Sequence, residues 1–164
     1  MAAVAAGRFT ADVEGDFVVF IIGMRFNKPL RVRKWLPVSV AMPKMLRYLD
    51  KNPQAGLLGY RAAGGLRTPT IIQYWRSFEE LERFAKAPEA PHLGPWRRFV
   101  KEIGSSGDVG IWHETYKVRA GEYEAVYGNM PVFGLAKATR HVPVGKSGES
   151  AAERIGASGA EPAE

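Results

Sequence analysis

The densest group of residues that could do acid–base chemistry lies at positions 110–118, which read GIWHETYKV. His113 and Glu114 can each move a proton, and Tyr116 can donate a hydrogen bond. The aromatic and β-branched residues favour a strand, and period-two alternation then places His113 and Glu114 on opposite faces. A relay between these two neighbours is therefore excluded on a straight strand.

Glu114 shares its predicted strand face with Trp112 and Tyr116. A carboxyl between two aromatic rings is expected to be desolvated, which raises its pKa and makes Glu114 a candidate acid or base. The alternative is an ordinary ion pair for Glu114 and an ordinary hydrogen bond for His113. If the cavity lies on the face that carries Trp112, Glu114 is the catalytic residue. If the cavity lies on the opposite face, His113 is the catalytic residue. The cost of burying an unpaired carboxyl favours the Trp112 face.

Five basic residues lie within ten positions: Arg25, Lys28, Arg31, Arg33 and Lys34. The whole chain carries a formal net charge of +6. Such a cluster suits an anionic group, for example a carboxylate or a cofactor propionate, with Arg25 as the candidate that binds it. A solvated basic loop is the alternative.

Composition narrows the classes of protein. The chain has 164 residues, of which 46% are hydrophobic, and this favours one globular domain. It contains no cysteine, so disulfides and thiolate catalysis or ligation are excluded. Zinc-ligand spacing, a phosphate loop and a dinucleotide fingerprint are absent. No stretch reads as a secretory signal, and no apolar run is long enough to cross a bilayer, so we expect a cytoplasmic protein without a membrane partner.

Hydrophobic patterning predicts six main elements. They are a strand at 16–25, a helix at 35–49, strands at 56–61 and 68–75, a helix after Ser77 and the strand at 110–118. We expect Pro43 to kink or restart the first helix, and Ser77 and Glu80 to form a capping box at the second. A further amphipathic helix carries Trp96, Phe99, Val100 and Ile103. This order is the βαββαβ pattern of the α+β ferredoxin-like fold, followed by C-terminal extended segments at 121–127 and 133–136.

The helices of this fold cover only one face of the sheet. Strands at 17–24 and 70–75 are apolar on both faces, so the second face needs another layer. A partner sheet would supply that layer, and we expect a homodimer with two sheets face to face.

Five segments resemble those of a known superfamily. They are residues 23–28 (GMRFNK), 74–79 (YWRSFE), 91–96 (PHLGPW), 110–116 (GIWHETY) and 129–131 (NMP). With them the sequence resembles the dimeric α/β-barrel superfamily, especially a poorly characterised bacterial and fungal group often labelled "monooxygenase family protein". The resemblance implies a dimeric α/β-barrel domain at residues 15–138. We expect a flexible N-terminus at 1–14 and a disordered tail at 139–164, because the tail holds few large apolar residues.

The resemblance also implies a cofactor. In haem-degrading members of the superfamily, a Trp-x-Ser strand end leads into a helix that ends with the iron-ligating histidine. Trp75 and Ser77 match that strand end and His92 lies near the helix end, although two prolines close to His92 alter the turn. Haem ligated by His92 or His113 is therefore the candidate cofactor, and a surface or helix-capping His92 is the alternative.

The function that the resemblance implies is a small oxidoreductase of the monooxygenase kind, acting on an apolar substrate that can carry an anionic group. His113 or Glu114 would move a proton, Tyr116 would donate a hydrogen bond, and Trp75 and Trp112 would wall the cavity. The alternatives are a haem-dependent dehydratase-like enzyme of the same superfamily and a non-catalytic ligand-binding barrel. RNA-recognition modules share the ferredoxin-like sheet, but their basic-aromatic signature is missing, so nucleic acid is not an expected partner.

Overall fold

A computed structural model describes residues 2–87, 94, 101, 104–145 and 150–157. Its elements in chain order are β1 (Ala5–Asp12), β2 (Phe17–Phe26), α1 (Val32–Lys51), β3 (Leu57–Ala63), β4 (Thr70–Trp75), α2 (Phe78–Lys86), β5 (Val109–Val118), β6 (Tyr127–Met130), α3 (Gly134–Ala138), β7 (Arg140–Pro143) and α4 (Ala151–Ala157). Single 3-10 turns lie at Pro53–Ala55 and Gly104–Ser106. His92 and the predicted helix that carries Trp96 lie outside the described residues.

The main sheet has four strands in the order β3-β4-β2-β5, and each neighbouring pair is antiparallel. Helix α1 follows β2 and helix α2 follows β4, so the chain from β2 to β5 runs βαββαβ. The predicted α+β ferredoxin-like fold is confirmed.

The register of this sheet assigns side chains to its two faces. Phe20 lies opposite Gln73 and Ile22 lies opposite His113, and residues that pair across strands share a face. Helices α1 and α2 pack on this side, where Trp75 meets Leu49 in a buried cluster. We call it the helix face. The opposite side, which carries Trp112, Glu114 and Tyr116, is called the open face.

The two helices begin and end partly as predicted. The Ser77 side chain caps α2 by accepting a hydrogen bond from the backbone N–H of Glu80 at 3.2 Å. The Glu80 carboxylate does not reach back but accepts from Arg76 Nε at 3.0 Å. Helix α1 runs as one helix through Pro37 and Pro43, so the predicted restart at Pro43 is wrong. Packing of its buried face, which includes Leu49, outweighs the hydrogen bond that each proline removes.

A second sheet, of order β6-β1-β7, joins the two ends of the chain. Phe9 pairs with Tyr127 on one side of β1, and Thr10 pairs with Val142 on the other. The predictions of a flexible N-terminus and a disordered tail are therefore wrong for β1 and β7, because each strand gains its partner from a distant part of the chain. Helix α4 also contacts the body, through an ion pair between Arg154 and Glu124 at 2.6 Å.

The small sheet and α3 cover one end of the open face. Ala11 of β1 and Leu135 of α3 pack with Tyr74 of the main sheet in a buried cluster. The chain thus supplies part of the second layer that we expected from a partner. An extended segment was predicted at 133–136 but the chain forms α3 there, since a helix buries Leu135 and Ala136 together against the sheet.

Among the described residues, no helix is long and apolar enough to cross a membrane.

Candidate functional site

A cavity of about 670 Å³ lies between the helix face of the main sheet and helices α1 and α2. Its walls are mostly apolar and include Phe20, Ile22, Met42, Met45, Leu81 and Phe84. This size and lining are typical of a pocket that encloses a small apolar molecule. The methionines can adjust their rotamers to the shape of such a ligand.

Trp75 forms part of the cavity lining and is 0% exposed to solvent. Its ring centroid lies 5.5 Å from that of Phe84, which joins strand β4 to helix α2. Trp75 therefore links the position of the helices to the shape of the cavity, as expected for a wall residue.

Most polar groups in the lining are already hydrogen-bonded within the chain. The Tyr60 hydroxyl donates to Asp50 at 2.9 Å, and Ser39 donates to the Trp35 carbonyl at 3.1 Å. Burial, with a smaller effect of Asp50, raises the pKa of the Tyr60 phenol. Because these hydroxyl groups already donate to acceptors within the chain, they are poor candidates for ligand recognition.

His113 is the histidine that lines the cavity among the described residues. It lies on edge strand β5, and its ring centroid is 5.7 Å from that of Phe20. The ring is exposed, so it contacts both the cavity and solvent. This position suits a group that exchanges protons between a bound molecule and water.

Gln73 is a lining residue that the sequence analysis missed. It is 1% exposed, and its Oε1 accepts a hydrogen bond from Trp75 Nε1 at 2.9 Å. Among the described residues, its Nε2 has no hydrogen-bond partner. The signal in the sequence was a single amide in the apolar run TIIQYW, two positions before Trp75 and therefore on the same strand face.

The open face holds the other predicted catalytic residues. Trp112 is 38% exposed and Tyr116 is 51% exposed, and the Tyr116 hydroxyl donates to Glu114 Oε2 at 2.8 Å. That hydrogen bond raises the pKa of the Tyr116 phenol. Glu114 itself is exposed, so the prediction of a desolvated carboxyl is wrong. The small sheet covers only the far end of this face and leaves these side chains in water.

The predicted site residues are thus divided between the two faces. Trp75 and His113 line the cavity, whereas Trp112, Glu114 and Tyr116 lie on the opposite side of the sheet. The Trp112 ring covers Gly23, where a Cβ would lie 2.7 Å from the indole. Trp112 consequently packs on the sheet and does not wall the cavity.

Part of the basic cluster has a partner inside the chain. Asp108 is 1% exposed, and its carboxylate binds Lys28 Nζ at 2.9 Å and an Arg31 guanidinium nitrogen at 2.8 Å. The hydrogen bond from Lys28 lowers the pKa of this carboxyl, and Arg31 adds to the effect against the opposing effect of burial. A buried carboxylate requires such counter-ions. These two cations therefore hold the start of β5 in place, and Arg25 is exposed and outside the cavity lining.

The described residues contain no group of three or more His, Asp or Glu side chains placed to hold a metal ion. His92, the predicted haem ligand, lies outside the described residues.

Comparison with known proteins agrees with the sequence resemblance. The family model described as Monooxygenase af470-like matches residues 17–135, which include the whole βαββαβ unit. Monooxygenase af470 of Aspergillus fumigatus is 30% identical over 151 residues, which are 79% of this chain and 53% of that protein. The chain therefore spans about half the length of this curated relative.

Two solved structures are similar to part of this chain at low sequence identity. One, from Bacteroides thetaiotaomicron, is described as a conserved protein of unknown function and possible oxidoreductase; it is 13% identical, with a TM-score of 0.39 over 63% of this chain and 99% of that one. The other, from Lactobacillus acidophilus, is described as a proposed monooxygenase; it is 14% identical, with a TM-score of 0.40 over 75% of this chain and 53% of that one. On the family match across the main sheet and its helices, the chain belongs to the Monooxygenase af470-like family.

Proposed function

We propose that this protein is a monooxygenase that oxidises an apolar small molecule in the cavity on the helix face. The observation that carries the proposal is the cavity itself, which has about 670 Å³ of space, an apolar lining and a histidine in its wall. Membership of the Monooxygenase af470-like family supports the reaction type. The cytoplasm is the proposed location, in keeping with the composition of the chain.

Monooxygenation places one atom of dioxygen on the substrate and reduces the other to water. The reaction consumes two electrons and two protons, which an electron-rich substrate or a redox cofactor must supply. In this proposal His113 accepts the proton that the substrate loses as it is oxidised, and its exposed ring passes that proton to solvent. Trp75 and Phe84 exclude water from the reacting molecule.

The test is incorporation of labelled oxygen. Purified protein is incubated under ¹⁸O₂ with a panel of apolar arenes, phenols and ketones, with and without added haemin and a reductant, and the products are analysed by mass spectrometry. We expect one labelled atom in a product and oxygen uptake that depends on the protein. Tight binding of the panel without any labelled product would instead support the non-catalytic ligand-binding barrel.

Haem is the cofactor whose requirements the lining can meet. If haem is the redox cofactor, the imidazole of His113 would hold its iron in place of acting as the base, and the guanidinium of Arg47 would pair with a propionate. Bound haem would supply oxidative chemistry, or the dehydratase chemistry of the alternative function. Haemin titration should give a Soret band that shifts in His113→Ala, whereas an unchanged spectrum would remove His113 as the ligand.

We propose that the protein is a homodimer whose two open faces pack together. Trp112 and Tyr116 are exposed there, and Ile21 and Ile72 beside them are only half-buried. Light scattering at micromolar concentration should give twice the mass of one chain, and Trp112→Glu should shift the protein towards the monomer because it places a charge at the interface. A monomeric wild-type protein would contradict this arrangement.

A further inference from the structure

We infer that Gln73 is a specificity-determining residue whose amide N–H binds an oxygen acceptor on the ligand, so that the cavity selects an apolar ketone, quinone or similar carbonyl compound over a hydrocarbon of the same shape. This inference rests on the proposed function only in taking the cavity as the binding site. It adds the chemical class of the ligand.

The orientation of the Gln73 amide is fixed by Trp75. An indole N–H can only donate, so the atom that faces Trp75 Nε1 at 2.9 Å must be the carbonyl oxygen of Gln73. The other end of the amide, Nε2, can only donate, and it must point away from Trp75. Trp75 is therefore a positioning residue: it occupies the Oε1 acceptor of Gln73 and leaves the Nε2 donor for a ligand.

The donor that results is buried and unsatisfied. Gln73 is 1% exposed, and Nε2 has no partner among the described residues. Buried polar groups are nearly always hydrogen-bonded in native proteins, and leaving one unpaired is costly. A ligand oxygen in the cavity would remove that cost, which gives a carbonyl compound an advantage that a hydrocarbon lacks.

The surroundings of Gln73 make the donor selective. Its cross-strand neighbours on the same face are Phe20 and Tyr60, and the Tyr60 hydroxyl is already bound to Asp50. A ligand oxygen that accepts from Gln73 Nε2 therefore has an aromatic ring on each side. Neither Phe20 nor Tyr60 offers it a cation or a free hydroxyl group. Arg47, a cation of the cavity lining, is exposed and lies on helix α1, so a neutral carbonyl fits the buried position beside Gln73 better than a carboxylate, whose burial would require a charged partner there.

The position of His113 sets the length of the ligand. Gln73 pairs with Phe20 of β2 and His113 pairs with Ile22, so their backbones are two strand spacings apart across the sheet and two residues apart along it, roughly 12 Å in all. A molecule of two or three fused rings can therefore accept from Gln73 while its other end reaches the histidine.

The experiment compares two ligands of the same shape, 9-fluorenone and fluorene, which differ in one carbonyl oxygen. Equilibrium dialysis measures the affinity of each for wild type and for Gln73→Met, which keeps the side-chain length and removes the donor. We expect wild type to prefer the ketone by about tenfold, the value of one hydrogen bond to a buried donor, and Gln73→Met to bind both ligands alike. Fluorene affinity serves as the internal control for folding of the cavity.

A second variant tests the role of Trp75. Trp75→Phe keeps an aromatic wall but removes the indole N–H, so the Gln73 amide is free to turn and the preference for the ketone should fall part of the way. The infrared carbonyl band of bound 9-fluorenone should lie at lower frequency in wild type than in Gln73→Met, because a hydrogen bond weakens the C=O bond.

The outcomes separate the two proposals. Equal affinity of wild type for both ligands would overturn the inference about Gln73 and leave the cavity as a binding site. A ketone preference that persists in Gln73→Met would overturn it as well, since the donor would then lie elsewhere. Binding of neither ligand would overturn both the inference and the cavity-based function.

Discussion

The two faces of the main sheet are built from the same strands but have different surroundings. The helix face is covered by α1 and α2, which leave an apolar cavity, partly open to solvent, around Trp75, Gln73 and His113. The open face is covered at one end only, so Glu114 and Tyr116 form their hydrogen bond in solvent. The same hydrogen bond therefore contributes a different free energy on each face, because electrostatic interactions are stronger where water is excluded.

The largest expected difference between the faces is in stability. Trp75→Ala should lower the free energy of unfolding by about 3–5 kcal/mol, since it removes a fully buried ring and leaves Gln73 Oε1 unpaired. Trp112→Ala on the open face should cost about 1 kcal/mol or less in the monomer. Urea denaturation followed by far-UV circular dichroism measures both values. Equal losses would show that the open face is as well packed as the helix face.

The next largest difference is in activity. His113→Ala should reduce labelled-oxygen incorporation by about 100-fold, the usual contribution of a positioned acid–base group, while Glu114→Gln should retain it. Both variants are compared at equal folded concentration, checked by thermal melting. The reverse result would place the reaction on the open face and restore the first expectation for Glu114.

A smaller effect concerns the response of Asp108, at the start of β5, to acid. The pKa of Asp108 is lowered in the folded state by Lys28, so its contribution to stability is present above its ordinary pKa of 3.8 and is lost as the pH falls through the lower folded value. Asp108→Asn should unfold more readily than wild type at neutral pH and should show a flatter loss of stability below about pH 4. Thermal melts between pH 2 and pH 7 test both expectations, and a wild-type acid dependence in Asp108→Asn would contradict the role of the ion pair.

The smallest effect is a titration on the open face. The Glu114 carboxylate raises the pKa of Tyr116, so Glu114→Gln should allow the Tyr116 phenol to ionise at lower pH. Subtracting the ultraviolet titration of a matched protein with Tyr116→Phe isolates this phenol from the others. An unchanged midpoint would show that the hydrogen bond between the two side chains does not persist in solution.

Local patterns in the sequence predicted most of the main sheet and its helices. The apolar run of β2, the Ser77 cap and the alternation that separates His113 from Glu114 all depend on neighbours within a few residues. The face that holds the cavity was not predictable in this way, because β2 and β4 are apolar on both sides. Alternation says which residues share a face and does not say which face the helices cover.

The parts that were missed depend on distant partners. Strand β1 has an Ala- and Gly-rich start, and it becomes a strand because β6 and β7 supply hydrogen bonds on both sides. Asp108 reads as a turn residue in the sequence, and only the fold brings Lys28 and Arg31 to it. The proposed role of Gln73 depends on the cavity, and no local sequence pattern predicts where that cavity lies.

The position of β1 between β6 and β7 has a consequence for the order in which the protein assembles. Asp12 and Arg140, which pair across this small sheet, are 128 positions apart in the chain, so the contact closes a loop that contains the entire βαββαβ unit. Closing so long a loop loses much chain entropy unless the intervening residues have already folded. We therefore expect the main sheet to form first and β1 to dock last. In native-state hydrogen exchange, the amides of β1 should open at a lower free energy than those of β2, so the outer layer of the open face would separate from the protein while the cavity stays intact.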